Sequence, residues 1–184
     1  MDEQKYRSKL IEWDAKSLDK RVERWKRLMP ATYSVELPNL IWDFIVEADD
    51  MFIRGHFIGV ILLCAAILEL LLADQLMQRG YTRARIKKLK FESVTKECES
   101  ISIIKTCEAN EIDQIRKFRN MIIHADAGKL NEMARKRYEE WGLDLAALDA
   151  GLYLHTPWNG GIDREAERFL SWTRDLTVRL CGAN

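Results

Sequence analysis

The sequence predicts an all-α protein, an up-and-down bundle of helices, on three observations. Only three prolines and nine glycines interrupt its 184 residues, so long helices are permitted almost everywhere. Apolar residues recur at three- and four-residue steps along most of the chain. Strand-type alternation of apolar and polar residues is scarcely visible. The length suits one compact domain over residues 1–184, with a real core, and is short for two.

From Glu3 to Met29 the residues Tyr6, Leu10, Trp13, Leu18, Val22, Trp25 and Met29 trace one apolar stripe between charged side chains. Residues 1–30 therefore read as a long amphipathic helix with that stripe buried. Pro30 ends it, and Pro38 can start the next helix. Residues 39–51 and 53–79 form two helices, or one bent near "RGH", stopped by Gly80. Thr82 is the expected N-cap of a basic helix, and Ser93 that of the segment after it. Residues 107–125 form a further helix, and Gly128 and Gly142 bracket a charged one, "KLNEMARKRYEEW". "LHTPWNGGID" is the clearest loop. Asp163 then caps a last helix whose Ala166, Phe169, Leu170, Thr173, Leu176 and Leu180 share a face. The result is six or seven helices, with residues 131–184 as a helical C-terminal extension.

The apolar run "FIGVILLCAAILELLLA", residues 57–73, is slightly short for a membrane span and holds Glu69, which is costly in lipid. A central helix is expected instead, with no membrane partner. Four scattered cysteines, Cys64, Cys98, Cys107 and Cys181, lack metal-ligand or disulfide spacing. The start "MDEQKYRSKL" lacks the apolar core of a signal peptide. A reducing cytoplasm is the expected location.

Basic and acidic residues balance at 29 each, which argues against nucleic-acid binding by bulk charge. A local patch remains: "RGYTRARIKKLK" carries Arg79, Arg83, Arg85, Lys87, Lys88 and Lys90 and no acid. It reads either as a solvated helix face or as a rim for a phosphate backbone. No Gly-rich phosphate loop is present, so ATP- or NAD-dependent chemistry and cofactors are not expected. Glu47, Asp49 and Asp50 lack the ligand number of a metal site, and no metal is expected there. His56 suits a helix start, His155 has no partner nearby in sequence, and Trp158 suits packing better than base stacking.

The stretch "IRKFRNMIIHAD", residues 115–126, carries the chemistry. Wound as a helix, Ile115, Phe118, Met121 and Ile122 form an apolar arc. Asp113, Arg116, Asn120 and His124 fall on the opposite side, and Asn120 and His124, four apart, are neighbours. Arg119 borders both faces. A histidine, which titrates at about 6.5 when unperturbed, can take the proton of a ribose 2′-hydroxyl or give one to a leaving oxygen. A guanidinium matches phosphate oxygens and stabilises charge building on phosphorus. One histidine cannot easily serve as acid and base in one step, whereas two copies facing across a two-fold axis supply both.

"RNMIIH", residues 119–124, resembles the R-N-x-x-x-H form of the R-x(4–6)-H motif of HEPN domains. The long apolar helix with an internal acidic residue, Glu69, some tens of residues before the motif, also resembles that family. The similarity covers roughly residues 38–130. It implies a HEPN-type bundle, usually dimeric, and in many members a metal-independent ribonuclease of toxin–antitoxin, phage-defence or RNA-processing systems. By that resemblance Arg119 and His124 would be catalytic and Asn120 supporting. Glu69 would be a buried acidic partner orienting Arg119 or another motif side chain, with Arg116 close to the chemistry. RNA would be cleaved by 2′-hydroxyl attack, leaving a 2′,3′-cyclic phosphate. The expected partners are RNA, a second copy, and an antitoxin or regulatory protein. Some members lack activity, so a catalytically silent dimerisation or docking module is the alternative.

Overall fold

The computed structural model describes residues 3–28, 37–124 and 162–182, and those residues hold seven helices and no strand. They are α1 (Glu3–Leu28), α2 (Asn39–Arg54), α3 (Phe57–Gln78), α4 (Arg83–Ile86), α5 (Phe91–Ser100), α6 (Thr106–Ile123) and α7 (Ile162–Gly182). The expected connector after residue 28, the charged helix between Gly128 and Gly142, and the loop with His155 and Trp158 lie outside the described residues.

α3 forms the centre because it is apolar nearly all round, and such a helix must be enclosed by others. Val60, Ile61, Cys64, Ile67, Leu68, Leu71, Leu72 and Leu76 are buried along its length. It packs against α2, α5, α6 and α7. By length and composition alone it is also the described helix able to cross a membrane. Here its apolar sides face those four helices.

The corner before α3 falls where "RGH" suggests. Gly55 takes φ 85°, a left-handed conformation that suits glycine, and its N–H donates to Phe52 O at 3.0 Å. His56 N–H reaches back to Met51 O at 2.8 Å, which closes α2 and lets the chain reverse. His56 stands at the N-cap of α3 without a side-chain capping bond. Gly80, at φ 86°, ends α3 in the same way. Thr82 caps α4 as expected, its Oγ1 accepting from Arg85 N–H at 3.3 Å, although the basic helix is only four residues long.

Ser93 does not start α5. The helix opens at Phe91, whose buried ring pins the first turn to the core, with Lys90 in the capping position. α7 likewise begins at Ile162, which puts Asp163 inside its first turn. The six residues expected to share a face of α7 are all buried, against α3 and α2. α7 is thus half of the central packing, not an appendage to it.

α1 departs most from expectation. Leu18, Val22 and Trp25, three residues of its supposed buried stripe, are exposed. The side turned to the body is formed by Arg21, Arg24 and Leu28, each half-buried. Arg24 Nη1 donates to Ile53 O at 3.1 Å, and its guanidinium lies 5.0 Å from the centre of the Phe57 ring. Arg27 pairs with Glu167 and sits over Phe52 at 5.8 Å. α2 ends here with open carbonyls beside aromatic faces, and guanidiniums satisfy both at once. Arg24 comes so near the corner that a Cβ on Gly55 would stand 2.8 Å from its Nη1.

Arg174 of α7 is buried and ties three helices together. Its Nη1 donates to Leu28 O at 3.4 Å, at the end of α1, and lies 3.6 Å from Asp49 Oδ1 on α2. That carboxylate oxygen has no hydrogen bond among the described residues. Burial raises the Asp49 pKa, and the Arg174 charge only partly offsets this.

All four cysteines are free thiols, with Cys64 and Cys98 buried and Cys107 exposed. Burial pushes Cys64 and Cys98 up to about 12, so they stay protonated and unreactive near neutrality. Iodoacetamide at pH 8 is expected to label Cys107 in the folded protein and spare both buried thiols, which denaturant then uncovers. Peptide mass spectrometry reads the order, and early labelling of Cys64 would contradict this packing.

Candidate active site

α6 is built to present its far end. Glu108 accepts a hydrogen bond from the backbone N–H of Lys105 at 2.7 Å, which fixes the start of the helix. Ile112, Ile115 and Phe118 bury one face, and Phe118 meets Phe169 edge-on with ring centres 5.9 Å apart. Arg168 pairs with Glu111, and Arg179 with Glu108 at 2.8 Å, so α7 holds α6 by charge as well as by core contacts.

The motif occupies the last turn. His124 is the C-cap residue, with its N–H donating to Asn120 O at 2.9 Å. It is exposed, and no hydrogen bond joins its ring to any described residue. Arg119 is half-buried, and its Nη1 donates to Asn120 Oδ1 at 3.1 Å. The side chain of Asn120 therefore holds the arginine, while its link to His124 runs through the backbone. Arg119 has no carboxylate partner among the described residues.

Arg116, one turn earlier, differs sharply. It is 2.5 Å from Asp113 Oδ1 and 3.8 Å from Glu92 Oε2, so its charge is already matched. It is therefore less available to a phosphate than Arg119. Glu69 departs from its expected place. It is half-buried, on the stripe of α3 with Leu62, Ala66 and Ala73 that the neighbours do not fully enclose. Neither a hydrogen bond nor an ion pair joins it to Arg119 among the described residues. Asn120, the adjacent residue, supplies the contact that Glu69 was expected to make.

The basic turn is divided. Arg85 pairs with Glu97 at 3.0 Å and stacks on Tyr81 at 4.3 Å, while Arg79 bonds to Gln75 Oε1 at 3.1 Å. Arg83, Lys87, Lys88 and Lys90 are exposed and carry no ion pair among the described residues. α5 and α6 run antiparallel, because Glu92 near the start of α5 meets Arg116 late in α6. Lys87, Lys88 and Lys90 lead into that same end of the hairpin. Arg119 and His124 lie about one and two turns past Arg116, toward the end of the bundle that these lysines lead into.

Sequence reasoning missed a shallow groove of about 270 Å³ between α5 and α6, lined by Glu92, Lys96, Glu99, Asp113, Arg116 and Lys117. Its signal was present as two i,i+4 pairs, Glu92–Lys96 and Asp113–Lys117, each closed at 2.7 Å. Three acids and three bases neutralise one another, so the groove has little net charge to offer a phosphate. Burial alone would raise Asp113, but bonds from Lys117 and Arg116 outweigh it and hold the carboxyl below its usual range. The hydrogen bond from Lys96 likewise lowers Glu92.

Depressed carboxyls stabilise the folded state above their unfolded pKa values, and that stability is lost as pH falls through the folded ones. Once corrected for the intrinsic pH dependence of exchange, the protection of amides in α5 and α6 is therefore expected to be weaker at pH 3 than at pH 6, and only slightly, because the pairs are exposed. Asp113→Asn should shrink the difference. An unchanged difference in that variant would assign the acid sensitivity elsewhere.

The chain matches no family model, no curated protein and no solved structure. Across the described residues the fold is an all-α bundle, with Arg119, Asn120 and His124 at the exposed end of one helix.

Proposed function

We propose that the chain is a metal-independent endoribonuclease acting as a homodimer, of the HEPN type that its motif resembles. The observation that carries this reading is the contrast within α6. Arg116 is matched by carboxylates, whereas Arg119 has none among the described residues and lies five residues, about 1.4 turns, before an exposed His124. An arginine steered by a neutral amide keeps its full charge for a phosphate.

In the proposed reaction the 2′-oxygen attacks phosphorus as one histidine removes its proton. The bond from phosphorus to the 5′-oxygen breaks, and the second copy's histidine protonates that oxygen. The products are a 2′,3′-cyclic phosphate and a free 5′-hydroxyl. Arg119 neutralises the charge on the non-bridging oxygens. Lys87, Lys88, Lys90 and Arg83 would track the flanking backbone. A cytoplasmic toxin or phage-defence role, restrained by an antitoxin, fits such an activity.

The test is incubation of mixed RNA with purified protein in EDTA, with the new termini identified chemically. Cyclic phosphate ends are expected. No cleavage by the wild-type protein, or equal cleavage by His124→Ala, would overturn the proposal. A second reading, a silent docking module, draws support from the exposed apolar residues of α1.

A further inference from the structure

α1 carries an apolar seam that is exposed among the described residues. Ile11, Ala15, Leu18, Val22 and Trp25 follow one another at steps of four, three, four and three, which is the a/d spacing of a coiled coil. All five are exposed, Ile11 at 72%, Leu18 at 52%, Val22 at 43% and Trp25 at 52%. The helix docks by its C-terminal end, where Arg24 meets Ile53 and Leu28 meets Arg174. Among the described side chains from Gln4 to Ala15, every one is exposed. A single helix of 26 residues, about 39 Å long, is marginal in water unless something covers its apolar side.

We propose that this seam pairs with the same seam of a second copy, as an antiparallel two-helix coiled coil. Shape selects the direction. With the two-fold axis beside Lys20, Leu18 lies against Val22 of the second copy and Trp25 against its Ala15, so the largest residue meets the smallest, twice. A parallel pair would set Trp25 on Trp25 and leave a gap between two alanines. Charge agrees. The antiparallel pair brings Glu12 beside Lys26 of the second copy in both halves, and one like-charged contact, Arg21 with Arg21, is already neutralised by Asp14 at 2.8 Å. One Asp19–Asp19 contact opposes it. The parallel pair would set Asp14 against Asp19 and Arg21 against Lys26 in both halves. This contact is separate from the motif end of α6 and does not rest on the nuclease reading.

The test uses the full chain with Leu18→Glu and Val22→Glu together. Both positions are exposed, so helicity and melting should be unchanged, and light scattering should give at most half the wild-type mass at matched concentration. The dissociation constant should rise at least about a hundredfold. Direction is read by disulfide trapping in a Cys107→Ser background. Leu18→Cys mixed with Val22→Cys should cross-link better than Leu18→Cys alone. Equal masses for wild type and the double variant, or trapping strongest for Leu18→Cys with itself, would overturn the proposal.

Discussion

The His124→Ala protein is expected to lose RNA cleavage by about two to four orders of magnitude, the range that a positioned acid–base group contributes. Its stability should stay within about 0.5 kcal/mol of wild type, because an exposed side chain with no bonding partner among the described residues is removed. Arg119→Ala should cost about two to three orders, and Arg119→Lys should recover little, since an ammonium keeps the charge and loses the fork. Asn120→Ala is the subtler variant. It frees the guanidinium from its 3.1 Å contact, so cleavage should fall with folding intact. Initial rates on a short RNA, measured beside urea midpoints, separate these effects. A His124→Ala protein that cleaves at the wild-type rate would remove the imidazole from the mechanism.

The largest expected loss of stability comes from Arg174→Ala. Removing one partner of a largely buried ion pair leaves the other poorly compensated, which costs up to about 3 kcal/mol. Asp49 is the group left behind, and Leu28 O loses its donor as well. Pairing Asp49→Asn with Arg174→Met should restore much of the loss, since a neutral pair has no buried charge to balance. Acid provides a second check. A carboxyl whose folded pKa is raised contributes stability at low pH that is lost as pH rises through that value. Without Arg174 the rise is larger, so the deficit of Arg174→Ala should narrow as the solution is acidified from neutrality. A deficit that is constant with pH would mean that Asp49 is not the group left uncompensated.

Much of the bundle was legible in the sequence, and the failures have definite causes. α3 declared itself by an apolar run too long for a strand, α7 by a shared face, and the corner and end of α3 by Gly55 and Gly80. α1 was misread because periodicity reveals which side of a helix is apolar and not which way that side turns. Its arginines fit the carbonyls and rings at the end of α2, and nothing local in the sequence announces that match. Ser93 lost to Phe91 because a buried ring outweighs a capping hydroxyl. At the site, the exposure of His124 at the end of α6 was readable from spacing. The choice of Asn120 over Glu69 as the neighbour of Arg119 was not, because it depends on side-chain rotation and on how α3 is turned within the bundle.

The corner at Gly55 binds two distant positions to a common history. Any residue other than glycine there would have to adopt a backbone it disfavours and also displace Arg24. The atom met is the far end of a flexible side chain and can swing aside, so the backbone sets the larger cost. A side chain at position 55 would still disturb the Arg24 bond to Ile53, and changes at the two positions are expected to be coupled.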